Sequence, residues 1–347
     1  MADYKDIVGT TVRSNAGALT SAKTGELFYD STNLDFIYRN PNITSAGAWR
    51  TGGALNTAKR QIGGAGSQTA GLVFGGEIAT AAEVNETEAY NGATWTEVNN
   101  LNTARISMAS AGHEGTSILS VGGEISSTSA LVAENESWNG TSWTELANLN
   151  TARRHGSGDG ANNTAAIVFG GGSPSVSNAT ETWNGTSWTE VNNLNTAREQ
   201  LAGAGVVGAA VTFGGNTGSI TVNTELWNGT NWTEVNNLNV GREQLQGCGL
   251  STAALAIGGN DGTTAAVAKN EVWNGTNWVE DGDLNTGIRL GGAAGTSSTG
   301  LAFAGQNASN TKLAGAEEFT GAGANIGAWA TSGSMNTAAA SAANRGN

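Results

Sequence analysis

Glu181-Thr-Trp183-Asn184-Gly185-Thr-Ser-Trp188-Thr-Glu-Val-Asn-Asn-Leu194-Asn-Thr-Ala-Arg198 returns through the chain with small edits, and its recurrence decides the fold. Close copies surround Trp95, Trp143, Trp232 and Trp278, with a degenerate copy at Trp329. The second tryptophans therefore follow one another at 48, 45, 44, 46 and 51 residues. A period in the forties that carries strand signals fits a propeller blade of four short strands. The first strand of each unit follows the Leu-Asn-Thr-Ala-Arg phrase and consists of small residues, as in 201–205 and 291–295, suited to the crowded centre of a ring. The second is an apolar run stopped by a glycine pair, as in Ala166-Ile-Val-Phe169-Gly170-Gly171. The third carries Glu-x-Trp and the fourth opens on the second Trp. Asn-Gly joins them at Asn139-Gly140, Asn184-Gly185, Asn228-Gly229 and Asn274-Gly275, where the positive φ of a tight hairpin is tolerated.

These residues resemble the kelch repeat. An Arg opens the unit, Gly-Gly ends the second strand, Glu-x-aromatic marks the third, Trp the fourth, and a Leu precedes the next Arg. Arg153, Gly170-Gly171, Glu181-x-Trp183, Trp188 and Leu194 fill those places in one unit. Arg198, Gly214-Gly215, Glu225-x-Trp227, Trp232 and Leu238 fill them in the next. The resemblance covers about residues 50–335 and implies an all-β kelch-like propeller without fixing a function, since such propellers serve as binding platforms and as enzymes.

Six second strands are complete. The segments Glu26–Tyr29, Leu34–Tyr38 and Ala48–Arg50 read as three strands without a first, and the stretch after Met335 reads as a first strand without the other three. Joining 25–60 to 335–347 predicts a seventh, closing blade; six blades with a separate N-terminal hairpin is the alternative. On this reading 25–347 is one propeller and 1–24 an N-terminal arm.

Acidic residues outnumber basic ones 29 to 16, a net charge of −13, which repels phosphate and argues against binding nucleic acid or an anionic membrane. With 38% hydrophobic residues and 11 Trp, the chain is too apolar to be disordered. Cys248 has no partner for an internal disulfide. His113 and His155 are the only histidines, little material for a zinc site or a histidine relay. Asp281-Gly-Asp283 and Asn260-Asp261-Gly262 lack the spacing of a calcium loop, so neither metal nor other cofactor is expected. No signal-peptide core and no apolar run of membrane length occurs, which predicts synthesis in a cytoplasm without classical export.

The recurring tryptophans read as core. The recurring Arg105, Arg153, Arg198 and Arg242 read as structural interblade ion pairs with Glu88, Glu136, Glu181 and Glu225, anion binding by a ring of cations being the other reading. The connection from second to third strand changes in every unit, and variable loops on a rigid scaffold are where binding resides. Glu77, Glu124, Ser173, Asn216, Asn260, Asp261 and Gln306 are the binding candidates there.

The segment Gly25–Tyr38, ending in Ala48-Trp49, is similar to a short hairpin module of bacteriophage tail-fibre and appendage proteins. That resemblance implies a non-catalytic virion protein: a tail fibre, appendage or capsid decoration. Its arm would dock on another virion protein, and its propeller would bind a host-surface glycan or protein, or another virion protein. An intracellular kelch adaptor and a propeller enzyme are the alternatives. A copper radical oxidase needs more Tyr and His than the 4 and 2 present, and a sialidase needs Asp-bearing turns that these hairpins lack.

Overall fold

A computed structural model describes residues 13–15, 27–30, 35–38 and 46–321, apart from Ser173. The chain divides into two compact units, Met1–Ser45 with Ala322–Asn347, and Ala46–Gly321. In the first, Leu27–Asp30 pairs antiparallel with Asp35–Tyr38 and parallel with Arg13–Asn15. The second unit is a β-propeller of six four-stranded antiparallel sheets. Blade 1 runs outward through Gly63–Ser67, Ala70–Phe74, Thr87–Tyr90 and Trp95–Val98. Blades 2 to 5 repeat that order from inner strands Ala109–Glu114, Ser157–Asn162, Ala202–Val206 and Gln246–Leu250.

Blade 6 closes the ring. It takes Gly292–Gly295, Gly300–Phe303 and Ala316–Thr320 from the end of the unit and Ala48–Thr51 from its start, in a register that puts Trp49 opposite Phe319. The ring therefore has six blades, not the expected seven. Of the three N-terminal strands only Ala48–Thr51 enters a propeller sheet, where it supplies the fourth strand that blade 6 otherwise lacks. No open edge is then left for another blade. The expected partner strand 335–347 and the degenerate repeat at Trp329 lie outside the described residues.

The core lies between blades. One cluster joins Leu72 and Phe74 of blade 1 to Ile118, Trp138 and Trp143 of blade 2, and its equivalents recur around the ring. Burying one such aromatic contributes roughly 4–6 kcal/mol before entropy, from about 150–250 Å² at about 25 cal/mol per Å². The indoles also find polar partners: Trp138 donates to the Gly115 carbonyl within its blade, and Trp143 donates across to Thr87 Oγ1 of the preceding blade, both at 3.1 Å.

The arginines stitch each blade internally. Arg105 pairs with Glu136 at 2.9 Å, Arg153 with Glu181 at 2.5 Å, and Arg198 with Glu225 and Arg242 with Glu271 at 2.8 Å. Each Arg precedes the first strand of the blade whose third strand carries its Glu, so these pairs lie within a repeat rather than between blades. Glu88 takes Lys59 at 3.1 Å. In blade 6 the cation is replaced by Ile288. Glu317 is satisfied instead by the backbone amides of Asn285 and Thr286, at 2.7 and 3.0 Å, and by the Asn285 side chain. Committed in this way, the repeated arginines form no anion-binding ring.

Candidate functional site

Two residues beyond Lys59, Arg105, Arg153, Arg198, Arg242 and Ile288 the chain turns into its inner strand through a left-handed residue. Gln61, Ser107, His155, Gln200, Gln244 and Leu290 occupy this place at φ between 53° and 58°. A side chain in this region costs roughly 1–3 kcal/mol. The compensation is a closed circle of backbone hydrogen bonds. Ser107 N–H donates to the Gln61 carbonyl, His155 to Ser107, Gln200 to His155, Gln244 to Gln200, Leu290 to Gln244 and Gln61 to Leu290, all between 2.8 and 3.0 Å. The circle ties all six blades together at one end of the central channel.

These residues line a cavity of about 90 Å³ at that mouth. Gln61 Nε2 reaches Ser107 Oγ at 3.1 Å and His155 Nε2 at 3.4 Å, and Gln244 Nε2 donates to Gln200 Oε1 at 3.2 Å. Ile62, Met108, Leu201 and Leu245 form an apolar collar that lines both this cavity and a deeper one of about 130 Å³. The mouth is thus a cup with amide, hydroxyl and imidazole walls over an apolar floor.

Two further rings surround the cup. Arg60, Ile106, Arg154, Glu199, Glu243 and Arg289 bridge antiparallel to Glu77, Glu124, Gly172, Asn216, Asn260 and Gln306, the residues that follow the second-strand glycines. Five of the seven binding candidates, Glu77, Glu124, Asn216, Asn260 and Gln306, therefore share one blade position around one mouth. Most of their polar atoms are already engaged. Glu77 is buried and accepts from Arg60 at 3.0 Å and Lys312 at 2.5 Å. Burial pushes its carboxyl up, but the two cations outweigh this and hold it below the ordinary value. Glu124 pairs with Arg154, while Asn216 and Asn260 donate to Glu243 at 2.5 and 2.9 Å. Asp261 lies one residue outward and caps its own turn through Thr263 and Thr264. Ser173 lies outside the described residues.

His155 Nδ1 stands 3.9 Å from Glu199, an ion-pair rather than a hydrogen-bond distance, and holds that carboxyl below its ordinary value. Arg289 differs from its neighbours in having neutral partners. It donates to Gln244 Oε1 at 2.9 Å and Asn310 Oδ1 at 2.7 Å. Sequence reasoning passed over this innermost ring and the cations Arg60 and Arg289. The available signal was the second residue after each Leu-Asn-Thr-Ala-Arg phrase, which varies while the phrase itself barely changes.

The deeper cavity holds a second arrangement that the sequence did not reveal. His113 Nε2 lies 2.9 Å from Asp159 Oδ1, and Asp159 also accepts from the amides of Gly160 and Gly205, both at 2.7 Å. Both residues sit where the pairing of their inner strand shifts register, which turns a bulky polar side chain into a channel lined largely by glycine and alanine. The bond from Asp159 raises the His113 pKa. Burial raises that of Asp159, against the opposing effect of His113. Cys248 lines the same cavity, and burial pushes its thiol far up, keeping it protonated. Among the described residues no group of three or more His, Cys, Asp or Glu is arranged to hold a metal.

No protein-family model matches the chain, and no curated protein matches it. A solved structure does. The structure of YjhT superposes with a TM-score of 0.62 at 12% identity, over 76% of this chain and 95% of that one. At that identity the likeness speaks for the fold alone, a β-propeller.

Proposed function

We propose that this chain is a non-catalytic, kelch-type binding propeller of a bacteriophage virion, in a tail fibre, appendage or decoration protein. Its N-terminal segment docks on another virion protein, and its channel mouth meets a host-surface glycan or protein. The observation that carries the binding part is the innermost ring. Six equivalent positions hold Gln, Ser, His, Gln, Gln and Leu on a backbone locked by its own hydrogen-bonded circle. A fixed frame with varied polar side chains over an apolar floor suits a hydroxyl-rich ligand that presents a C–H face.

The test is saturable binding to a glycan array and to bacterial cells. The parent is compared with a variant in which Gln61, His155, Gln200 and Gln244 are all alanine and the Trp and Arg positions are untouched. Binding lost by a variant that melts like the parent supports recognition at the mouth. Full binding by the variant removes the mouth from the interface. Absence of binding by the parent itself overturns receptor recognition in favour of particle assembly.

A further inference from the structure

The charge around the cup is unevenly divided. Blades 6 and 1 bring Arg289, Arg60 and Lys312 together with a single carboxylate, Glu77, which both Arg60 and Lys312 share. The two guanidiniums are joined by neutral amides. Arg60 donates to Gln306 Oε1 at 2.6 Å, Gln306 Nε2 donates to Asn310 Oδ1 at 2.5 Å, and Arg289 donates to the same Asn310 oxygen. Burial and the nearby Arg60 charge both lower the Arg289 pKa, so the two cations sense each other. A protein of net charge −13 thus keeps an excess of positive charge beside the cup, where Arg289 donates to Gln244 of the cavity lining. Glu243 is the neighbour of Arg289 in the ring, and Glu199 follows one blade farther round.

We propose that the channel mouth binds a carboxylate-bearing sugar, its carboxylate seated between Arg60 and Arg289 and its hydroxyls on the Gln61, Gln200 and Gln244 amides. This rests on the mouth being the glycan-binding face. Guanidinium groups offer paired N–H donors that match the two oxygens of a carboxylate, and the bound carboxylate takes the place of the neutral Gln306 and Asn310 oxygens that Arg60 and Arg289 hold in its absence. The neighbouring Glu243 charge disfavours a dianion, which selects a uronate over a phosphate monoester. Ile62, Met108, Leu201 and Leu245 below supply the apolar surface for the sugar ring.

Calorimetric titration of the intact protein with D-glucuronate, D-glucose and inorganic phosphate tests this. Glucuronate is expected to bind at least tenfold more tightly than glucose or phosphate and to weaken with added salt. Arg289→Gln is expected to lose about tenfold for glucuronate, with its melting temperature retained as the control for folding. Glu243→Gln, which removes a nearby negative charge, is expected to tighten glucuronate a few-fold and gives an independent readout. Equal affinity for glucose and glucuronate, equal affinity for phosphate, or indifference to both substitutions overturns the proposal. If cells are bound through the mouth while glucuronate is not preferred, the carboxylate assignment fails and the binding face stands. If glucuronate binds but cells do not, the host-recognition reading fails alone.

Discussion

Trp49 packs on Phe319 with ring centroids 5.1 Å apart, the two residues facing each other across the strand pair that closes the propeller. The contact repeats that of Trp138 with Trp143 and of Trp183 with Trp188, at 5.5 and 5.4 Å, although here the partners come from opposite ends of the unit. Trp49→Ala is expected to destabilise by about 3–5 kcal/mol, as for other buried tryptophans. Urea unfolding followed by circular dichroism measures it. A loss below about 1 kcal/mol would mean that ring closure does not depend on this strand.

Arg198 and Glu225 are both buried, and the arginine also donates to the Asn223 carbonyl at 2.6 Å. Arg198→Met removes the cation and leaves a buried carboxylate, at a cost of about 3–5 kcal/mol. Adding Glu225→Leu should recover a large part of that loss. A double variant no more stable than the single one, in the same denaturation measurement, would show that the pair is not the source of the cost.

Trp143, Trp232 and Trp278 donate to Thr87, Thr180 and Thr224 of the preceding blade, each at 3.1 Å. Trp188 finds no such partner, since blade 2 carries Asn135 where blades 1, 3 and 4 carry Thr, and both the Trp188 nitrogen and the Asn135 oxygen are left without one. Asn135→Thr is expected to stabilise by about 1 kcal/mol through the restored bond. A lower melting temperature would count against it.

His113 has its pKa raised by Asp159, above an ordinary value of 6.5. A group raised on folding contributes stability that is complete below its unfolded value and lost as pH climbs through the folded one. Asp159, also raised, acts in the same sense from its own ordinary value of 3.8 upward. The melting temperature is therefore expected to fall as pH rises above about 6.5, and His113→Gln should flatten that part of the profile. An identical slope in the variant would place the titrating group elsewhere.

Blades 1 to 5 were legible because each is local in sequence. Trp pairs, Asn-Gly hairpins and Gly-Gly stops fix four strands within one period, and their alternation states which face is buried. The candidate site was legible only in part. The loops after the glycine pairs gave away Glu77, Glu124, Asn216, Asn260 and Gln306 by their variation, but not that these residues would meet around one channel. The left-handed Gln61, Ser107, His155, Gln200, Gln244 and Leu290 carry no turn signature, since their conformation is imposed by the amide and carbonyl of neighbouring blades rather than by their own side chains.

By itself the sequence determined a β-propeller, the identity of its repeating core, and its net negative charge, because all of these depend on residues within one repeat or on simple sums. Tertiary structure alone decided the rest: that Ala48–Thr51 closes six blades, that Arg105 and its equivalents pair inside their own blade, that His113 meets Asp159, and that Arg60 and Arg289 are linked through Gln306 and Asn310. Each depends on which repeats become neighbours when the ring closes. That is set by strand pairing and packing between distant segments, which a one-dimensional pattern does not record.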